Sequence, residues 1–200
     1  MGYKIIKRWF DIVVSLAGLL TLSPLLGVIA VLVKLESPGP VFFQSSRVGR
    51  KEKHFQMYKF RTMIVGAEKK GPSITSAGDP RITRLGAFLR KHKLDEWPQL
   101  FNVLKGEMSL VGPRPEVPQY VSAFREDYQE ILQIRPGMTD FAALAFRDES
   151  QILAQSQNPE LAYLRQILPQ KIKYYKKYLK EMSFKTDLSL IVLTMRKVGR

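Results

Sequence analysis

The sequence contains no cysteine and only two histidines, His54 and His92. The absence of cysteine excludes disulfides, iron–sulfur clusters, cysteine-ligated zinc and thiol nucleophiles. Two histidines so far apart argue against a histidine-rich metal site or a histidine-based catalytic triad. Carboxylates, hydroxyls, lysines and arginines must therefore supply any chemistry.

Acidic residues are scarce, because 18 Asp and Glu face 32 Lys and Arg in 200 residues, a net charge of +14. Such an excess favours an anionic partner: nucleic acid, an acidic membrane surface or a phosphorylated substrate. A hydrophobic content of 45% excludes a disordered basic tail. The length is sufficient for one domain with a hydrophobic core.

Charge is absent from residues 12–33. The run is long enough to cross a hydrocarbon core of about 30 Å as a helix, so a simple N-terminal anchor is one interpretation. A cleaved signal peptide fits less well, because no small-residue cleavage site follows the run.

Ser23 and Pro24 interrupt the middle of this run. Proline kinks a helix and frees a carbonyl, which the serine hydroxyl can satisfy. Basic residues, which favour the cytoplasmic side of a membrane, flank both ends of the run. They are Lys4, Lys7, Arg8, Lys34, Arg47, Arg50, Lys51 and Lys53. We therefore favour a re-entrant hairpin, which returns to the face it entered, over a simple crossing.

The rest of the chain predicts a mixed α/β fold dominated by helices. Residues 41–48 and 55–64 are aromatic and β-branched and flank a loop, which predicts a small β-hairpin. Asp79 and Pro80 predict a helix start. Further helices are predicted near residues 95–105, 117–134 and 159–180. We divide the chain into a membrane hairpin, residues 1–36, and a domain at the cytoplasmic face, residues 37–200.

The predicted helix at 159–180 interleaves lysines with Tyr174, Tyr175 and Tyr178. Such a helix can lie in a membrane interface, with tyrosines at headgroup level and lysines against anionic lipid. A solvated basic face gives the same pattern. The uncharged run favours interfacial amphipathic helices, because the domain then lies beside a bilayer.

The sharpest chemical motif is LDEWPQL at residues 94–100. Pro98 fits only a first helical turn, so Asp95 and Glu96 are expected at a helix start, which favours negative charge and attracts phosphate. Carboxylates held ionised by cations can act as a nucleophile or as Mg²⁺ ligands. Such acidic residues are also common caps. The cations that directly precede the pair are Arg90, Lys91 and Lys93.

Further cations lie in ordered surroundings. Lys59 and Arg61 end a predicted strand, and Arg114 lies between two prolines, which fix the backbone that presents it. Together with the membrane segment and the acidic pair, they indicate phosphoryl transfer at a membrane surface.

At these residues the chain resembles the monotopic phosphoglycosyl transferases of the bacterial sugar transferase family. The resemblance covers most of the chain and includes the Ser-Pro break, which in the family gives a re-entrant hairpin. The matching segments are SPGPVFFQ at 37–44, YKFRTM at 58–63, the run 81–115 with its LDEWPQL, NVLKGEMS and VGPRP elements, and RPGMT at 135–139.

The resemblance implies transfer of a sugar phosphate from a UDP-sugar to a polyprenol phosphate, with release of UMP. It implies Mg²⁺ as cofactor and a monotopic enzyme on the cytoplasmic face of the bacterial inner membrane. Such a reaction is the first membrane step in assembling an exopolysaccharide, O-antigen or glycoprotein glycan. The expected partners are the two substrates and the bilayer, and no nucleic acid is expected. A homodimer is compatible with the resemblance.

The resemblance also implies residue roles. Asp95 is the expected nucleophile on the β-phosphate, forming a phosphosugar–aspartyl intermediate. Glu96 either holds Mg²⁺ together with Asp95 or assists the second attack, and Arg90 orients the pair or a phosphate. The expected substrate contacts are Lys59, Arg61, Arg81, Pro113, Arg114, Arg147 and Asp148.

Residues 140–147, DFAALAFR, depart from the Gly-Trp/Leu-x-Gln-Val pattern of many relatives. This departure affects the prediction of which sugar is transferred more than the prediction of the reaction. The chain begins without the additional membrane helices of longer relatives, so a minimal catalytic form is expected. Two other classes remain open: a membrane-tethered basic nucleic-acid-binding protein and a non-catalytic membrane scaffold.

Overall fold

Helices dominate the computed structural model, which describes residues 2–67, 70–71 and 74–198. The outermost residues of the predicted division, 1 and 199–200, lie outside this range. The helices are α1 Gly2–Glu36, α2 Arg84–Lys91, α3 Gln99–Lys105, α4 Pro118–Ala123, α5 Arg125–Ile131, α6 Phe141–Ala145, α7 Glu149–Ala154, α8 Pro159–Ala162, α9 Leu168–Glu181 and α10 Phe184–Val198. The strands are β1 Phe42–Val48, β2 His54–Phe60, β3 Ser109–Val111 and β4 Gly137–Thr139.

Helix α1 is long and apolar enough to cross a membrane by length and composition. It contains Pro24, whose missing N–H deprives the Leu20 carbonyl of its helical donor. The Ser23 hydroxyl donates to that carbonyl at 2.8 Å. This is the local compensation that the sequence predicts for a Ser-Pro pair in an apolar helix.

The N-terminal end of α1 is tied to the rest of the protein. Tyr3 and Lys7 each donate to the carboxylate of Asp187, in α10, at 2.7 Å. Arg8 donates to the last carbonyls of α3, those of Val103 and Leu104. A basic side chain at this end also suits the negative pole of α3.

The C-terminal end of α1 is tied to the same domain. The Glu36 carboxylate accepts the Leu85 N–H, at the start of α2, at 2.8 Å. Between the two ends, one stripe of α1 is buried at helical spacing: Asp11, Ser15, Leu19, Ile29 and Val33. The helix therefore packs lengthwise on the domain and leaves its other apolar side exposed.

Strands β1 and β2 form an antiparallel hairpin, which confirms the sequence prediction. Phe43 lies opposite Lys59, and Arg47 lies opposite Phe55. Because side chains alternate along a strand, Phe43, Ser45 and Arg47 share the face that carries Lys59. We call this the Lys59 face.

Strands β3 and β4 are parallel neighbours, with Ser109 opposite Gly137 and Val111 opposite Thr139. A Cβ at Gly137 would lie 2.1 Å from the backbone nitrogen of Gly112, so only glycine fits this close approach. The pairing places the proline-flanked Arg114 segment beside the residues that follow Thr139.

Two helix boundaries differ from the prediction. Helix α2 starts at Arg84 with Thr83 as its cap, because the Asp79 carboxylate binds Arg81 and does not cap a helix. The predicted helix at 117–134 is two helices, α4 and α5, separated at Phe124, whose φ of −125° is not helical.

The prediction for the tyrosines of α9 is wrong in part. Tyr175 and Tyr178 are fully buried in the core, so they do not reach a headgroup layer. Together with Ile172 they follow a spacing of three residues, which forms one inward stripe on a helix. Lys173, Lys177 and Lys180 remain exposed, whereas Lys171 is buried and forms an ion pair with Glu149.

Candidate active site

The acidic pair lies in a single 3-10 turn, Leu94–Glu96, between α2 and α3. Lys93 enters the turn in the left-handed conformation, with φ of 56°, and Pro98 directly precedes α3. The sequence prediction of a helix start at this point is confirmed, but the pair occupies the 3-10 turn before the α-helix.

Glu96 is held by two cations. Its carboxylate accepts a hydrogen bond from the Lys59 ammonium at 2.8 Å, and the two terminal nitrogens of Arg114 donate to its two oxygens. Burial alone would raise the pKa of Glu96, but Arg114 and Lys59 outweigh burial and hold it well below its usual range. Glu96 is therefore ionised, and both of its oxygens are engaged.

Asp95 has a different environment. Its side chain is buried, and its Oδ1 atom has no hydrogen-bond partner among the described residues. Burial raises the pKa of Asp95; Lys59 and Arg90 lower it, and Glu96 raises it. A buried carboxylate with an unpaired oxygen and cations nearby is typical of a reactive or ligand-binding group.

Arg90 lies in the last turn of α2, where its Nε donates to the Thr62 hydroxyl at 2.7 Å. Its charge acts favourably on Asp95. The structure thus brings together Asp95, Glu96, Arg90, Lys59 and Arg114, as the sequence predicts.

The backbone around Arg114 is fixed on several sides. Gly137 donates to the Pro113 carbonyl at 2.9 Å, and Val48 donates to the Glu116 carbonyl at 3.0 Å. The Asp140 carboxylate accepts the Arg114 N–H at 3.1 Å. Buried Pro113 contributes rigidity to this segment, and the contacts position Arg114 against Glu96.

Asp140 is a site residue that sequence reasoning missed. It is fully buried and also caps α6 by accepting the Ala143 N–H at 2.6 Å. Burial raises the pKa of Asp140 to about 6, although its two backbone hydrogen bonds lower the pKa. The available signal was an aspartate directly before a short alanine-rich stretch, which is typical of a helix cap.

Asn102 is a second missed residue. Its side-chain amide accepts the Tyr58 N–H at 3.0 Å and donates to the Gln56 carbonyl at 2.7 Å, as a neighbouring strand would. It thereby fixes α3, which follows the acidic pair, to the strand that carries Lys59.

Two residues that the sequence predicts as phosphate contacts, Arg61 and Arg81, form their hydrogen bonds away from the acidic pair. The guanidinium of Arg61 donates to the carbonyls of Val33, Ser37 and Pro38, where α1 ends, so its donors hold the turn after the membrane helix. Arg81 binds the Asp79 carboxylate and the Ala67 carbonyl. The structure assigns both to loop anchoring, because these bonds engage the donors that a phosphate would need.

Arg147 and Asp148 lie in the turn before α7. In the part of the chain that the structure describes, neither forms a hydrogen bond or ion pair with the acidic pair. The neighbouring Glu149 forms an ion pair with Lys171 of α9 instead.

The carboxylates of the site offer few ligands for a Mg²⁺ ion. No group of three possible metal ligands occurs among the described residues. Mg²⁺ is commonly held by one or two carboxylates together with substrate phosphates and water. The unpaired oxygen of Asp95 fits that pattern, whereas Glu96 is occupied by cations. The site therefore suits a Mg²⁺ ion that arrives with a phosphorylated substrate.

Comparison with known proteins gives a consistent family. The family model described as bacterial sugar transferase matches residues 2–200. A UDP-N-acetylgalactosamine-undecaprenyl-phosphate N-acetylgalactosaminephosphotransferase of Aeromonas hydrophila is 46% identical over 145 residues, which are 70% of this chain and 34% of that protein.

Two further relatives extend the comparison. A UDP-glucose:undecaprenyl-phosphate glucose-1-phosphate transferase of Xanthomonas campestris pv. campestris is 39% identical over 98% of this chain and 39% of its own length. An exopolysaccharide production protein of Rhizobium leguminosarum bv. phaseoli is 44% identical over 70% of this chain and 74% of its own length. The chain thus spans about two fifths or less of two of these three relatives.

Proposed function

The chain belongs to the bacterial sugar transferase family, and on that premise we propose that it transfers a sugar 1-phosphate from a UDP-sugar to undecaprenyl phosphate and releases UMP. The observation that carries the proposal is the contrast within the acidic pair. Glu96 is neutralised by Lys59 and Arg114, whereas the adjacent Asp95 keeps a buried, unpaired oxygen.

Asp95 is the proposed nucleophile. One of its oxygens attacks the β-phosphorus of the donor, the bond from that phosphorus to the bridging oxygen breaks, and UMP leaves with the bond electrons. An oxygen of undecaprenyl phosphate then attacks the same phosphorus and returns Asp95 to its carboxylate form. The covalent intermediate lets a soluble donor and a lipid acceptor use one site in turn.

Positive charge makes the first attack feasible, because a diphosphate repels an approaching carboxylate. The positive charges of Arg90, Lys59 and Arg114 lie around the pair and reduce the repulsion between the Asp95 carboxylate and the donor phosphates. Asp95, together with the donor phosphates, would hold a Mg²⁺ ion, which would supply further neutralisation of the phosphate charge.

Glu96 is proposed to orient Lys59 and Arg114 and not to act as a base. Its oxygens are engaged and its pKa lies well below its usual range, mainly because Arg114 and Lys59 outweigh burial. The acceptor needs no base, since a phosphate monoester, with a second pKa of about 6, is largely ionised at neutral pH.

We propose that the protein is monotopic, with the domain on the cytoplasmic face. Both ends of α1 bind the same domain, through Asp187 at one end and Leu85 at the other. A helix of 35 residues that crossed the bilayer would separate these ends. Basic residues at both ends favour the cytoplasmic side.

The test is UMP release by the purified protein with undecaprenyl phosphate and Mg²⁺. UDP-N-acetylgalactosamine and UDP-glucose are the first donors, because two relatives are named for these sugars. We expect turnover with at least one UDP-sugar and its loss on chelation of Mg²⁺. Absence of UMP release across a UDP-sugar panel, with a salt-sensitive shift of DNA or RNA, would favour a nucleic-acid-binding protein.

A further inference from the structure

Arg47 is a guanidinium that the roles above leave unused. It lies on the Lys59 face of β1, four residue pairs along the hairpin from the row that contains Phe43 and Lys59. Its Nε donates to the Ser45 hydroxyl at 3.3 Å, so the side chain leans along β1 toward that row.

The terminal nitrogens of Arg47 are available for a ligand. Neither donates a hydrogen bond to another described residue, and the nearest carboxylate oxygen is that of Glu116 at 3.9 Å. The side chain is 22% exposed, so solvent and solutes reach it. By contrast, the guanidinium groups of Arg61 and Arg114 are engaged by carbonyls or by Glu96.

The charges nearest Arg47 are of both signs. Burial lowers the pKa of Arg47, the Glu116 and Glu96 carboxylates raise it, and the like charge of Arg114 lowers it. The case for a phosphate therefore rests on the unbonded terminal nitrogens of Arg47, because a guanidinium binds phosphate through such paired donors.

The position of Arg47 on the hairpin indicates which substrate it meets. The opposite end of β1 carries Phe42 and Phe43, which are exposed and follow the turn from the end of α1. That end of β1 follows α1 in the chain, and α1 has exposed apolar residues such as Leu35. Exposed apolar surface suits a lipid acceptor, so the far end of β1, which carries Arg47, suits a water-soluble donor.

We infer that Arg47 binds the α-phosphate of the nucleotide donor, the group that leaves as UMP, and this inference rests on the proposed function. The charges of Lys59 and Arg114, which Glu96 holds in place, then act on the β-phosphate beside Asp95, while Arg47 binds the nucleoside side of the diphosphate. Arg47 thus contributes to donor binding and to retention of the nucleotide product, and not to binding of the acceptor.

Equilibrium binding of UMP to the full-length protein in detergent tests the inference without turnover. A lost charge-assisted hydrogen bond to phosphate weakens binding by about 10- to 100-fold. We expect that loss for R47Q, a partial loss for R47K, and the same factor in the KM for the UDP-sugar. The KM for undecaprenyl phosphate is expected to stay unchanged.

Two matched variants separate binding from architecture. E116Q removes the long ion pair but keeps an oxygen for the Tyr163 hydroxyl, which Glu116 accepts at 2.6 Å. UMP affinity is expected to be unchanged or higher in E116Q, because the guanidinium is freed. R50Q removes an exposed arginine from the turn of the same hairpin and should leave both KM values unchanged.

The results that would contradict the proposed function differ from those that would contradict only the role of Arg47. Failure of the wild-type protein to bind UMP would contradict the proposed function itself. UMP affinity that is equal in wild type and R47Q would contradict only the role of Arg47. A rise in the KM for donor and acceptor by the same factor, or an E116Q variant that behaves as R47Q does, would show that Arg47 merely supports the fold.

Discussion

Asp95 and Glu96 are adjacent in the chain, yet their surroundings give them opposite properties. Glu96 is paired with Lys59 and Arg114, while one oxygen of Asp95 has no partner among the described residues. Removing one partner of a buried ion pair destabilises a fold, whereas removing a buried charge that lacks a partner relieves the cost of its desolvation. The roles that we propose for the two residues rest on this geometry as well as on the family resemblance.

This contrast predicts that E96Q lowers the stability and that D95N does not. E96Q leaves Lys59 and Arg114 without a counter-charge, and breaking a buried pair in this way costs about 3 kcal/mol. D95N removes a buried unpaired charge, so we expect an unchanged or raised melting temperature. Thermal unfolding in detergent measures both. Equal destabilisation by the two variants would contradict the assigned environments.

Asp140 predicts a pH-dependent stability. Burial raises its pKa to about 6 in the folded protein, so between its unfolded value and 6 the folded state binds more protons than the unfolded state. The stability contributed by the protonated form is present below about pH 4 and is lost as the pH rises to about 6.

The D140N variant isolates this effect because it cannot titrate. Two pKa units correspond to about 3 kcal/mol, so D140N should gain that much relative to wild type as the pH rises from about 4 to 6. Melting temperatures of both proteins across this range provide the measurement. A constant difference between them would show that Asp140 does not titrate there.

At the scale of elements, the site is a junction between a helix and a hairpin. Helix α3 follows the acidic pair, strand β2 carries Lys59, and the Asn102 amide joins the two by imitating a strand neighbour. The geometry of Lys59 and Glu96 therefore depends on a residue that touches neither of them.

Replacement of Asn102 should affect stability and activity together. N102L removes the hydrogen-bond partner of the Tyr58 N–H and of the Gln56 carbonyl, at a cost of about 1 kcal/mol for each lost hydrogen bond. We expect a lower melting temperature and a lower kcat, because Lys59 shifts relative to Glu96. The matched control is N158A, which removes the side-chain cap of α8 and costs about 1 kcal/mol. Normal activity in N102L at a temperature where it is folded would refute the positioning role.

Helix α1 gives a prediction about topology. The chain contains no cysteine, so single cysteines placed at Gly2 and Ser46, which are both exposed, report on the two ends of the helix. Because both ends bind one domain, a membrane-impermeant thiol reagent should label both from the same side of inverted vesicles. Labelling from opposite sides would establish a crossing helix and refute the monotopic proposal.

At the scale of the whole molecule, the features that the sequence predicts are those that local patterns encode. The Ser23–Pro24 compensation, the β1–β2 hairpin and the acidic pair before α3 each depend on residues close together in the chain. The family motifs, and not local patterns, predict the cluster of Asp95, Glu96, Lys59 and Arg114.

The features that could not be predicted depend on contacts between distant segments. The parallel pairing of β3 and β4 joins strands of three residues each, too short to show a pattern, and it brings Asp140 to Arg114. Arg61 sits in a matching family motif, but the end of α1 engages its guanidinium. The tyrosines of α9 look interfacial until the other helices bury Tyr175 and Tyr178.

The most direct test of the account is the mass of the protein after reaction with a UDP-sugar and Mg²⁺ in the absence of acceptor. We expect an increase of one phosphosugar, located by peptide mapping on Asp95, stoichiometric with released UMP and discharged when undecaprenyl phosphate is added. D95N should show no increase. An adduct on any other side chain, or full turnover through a complex that never carries the phosphosugar covalently, would contradict the account.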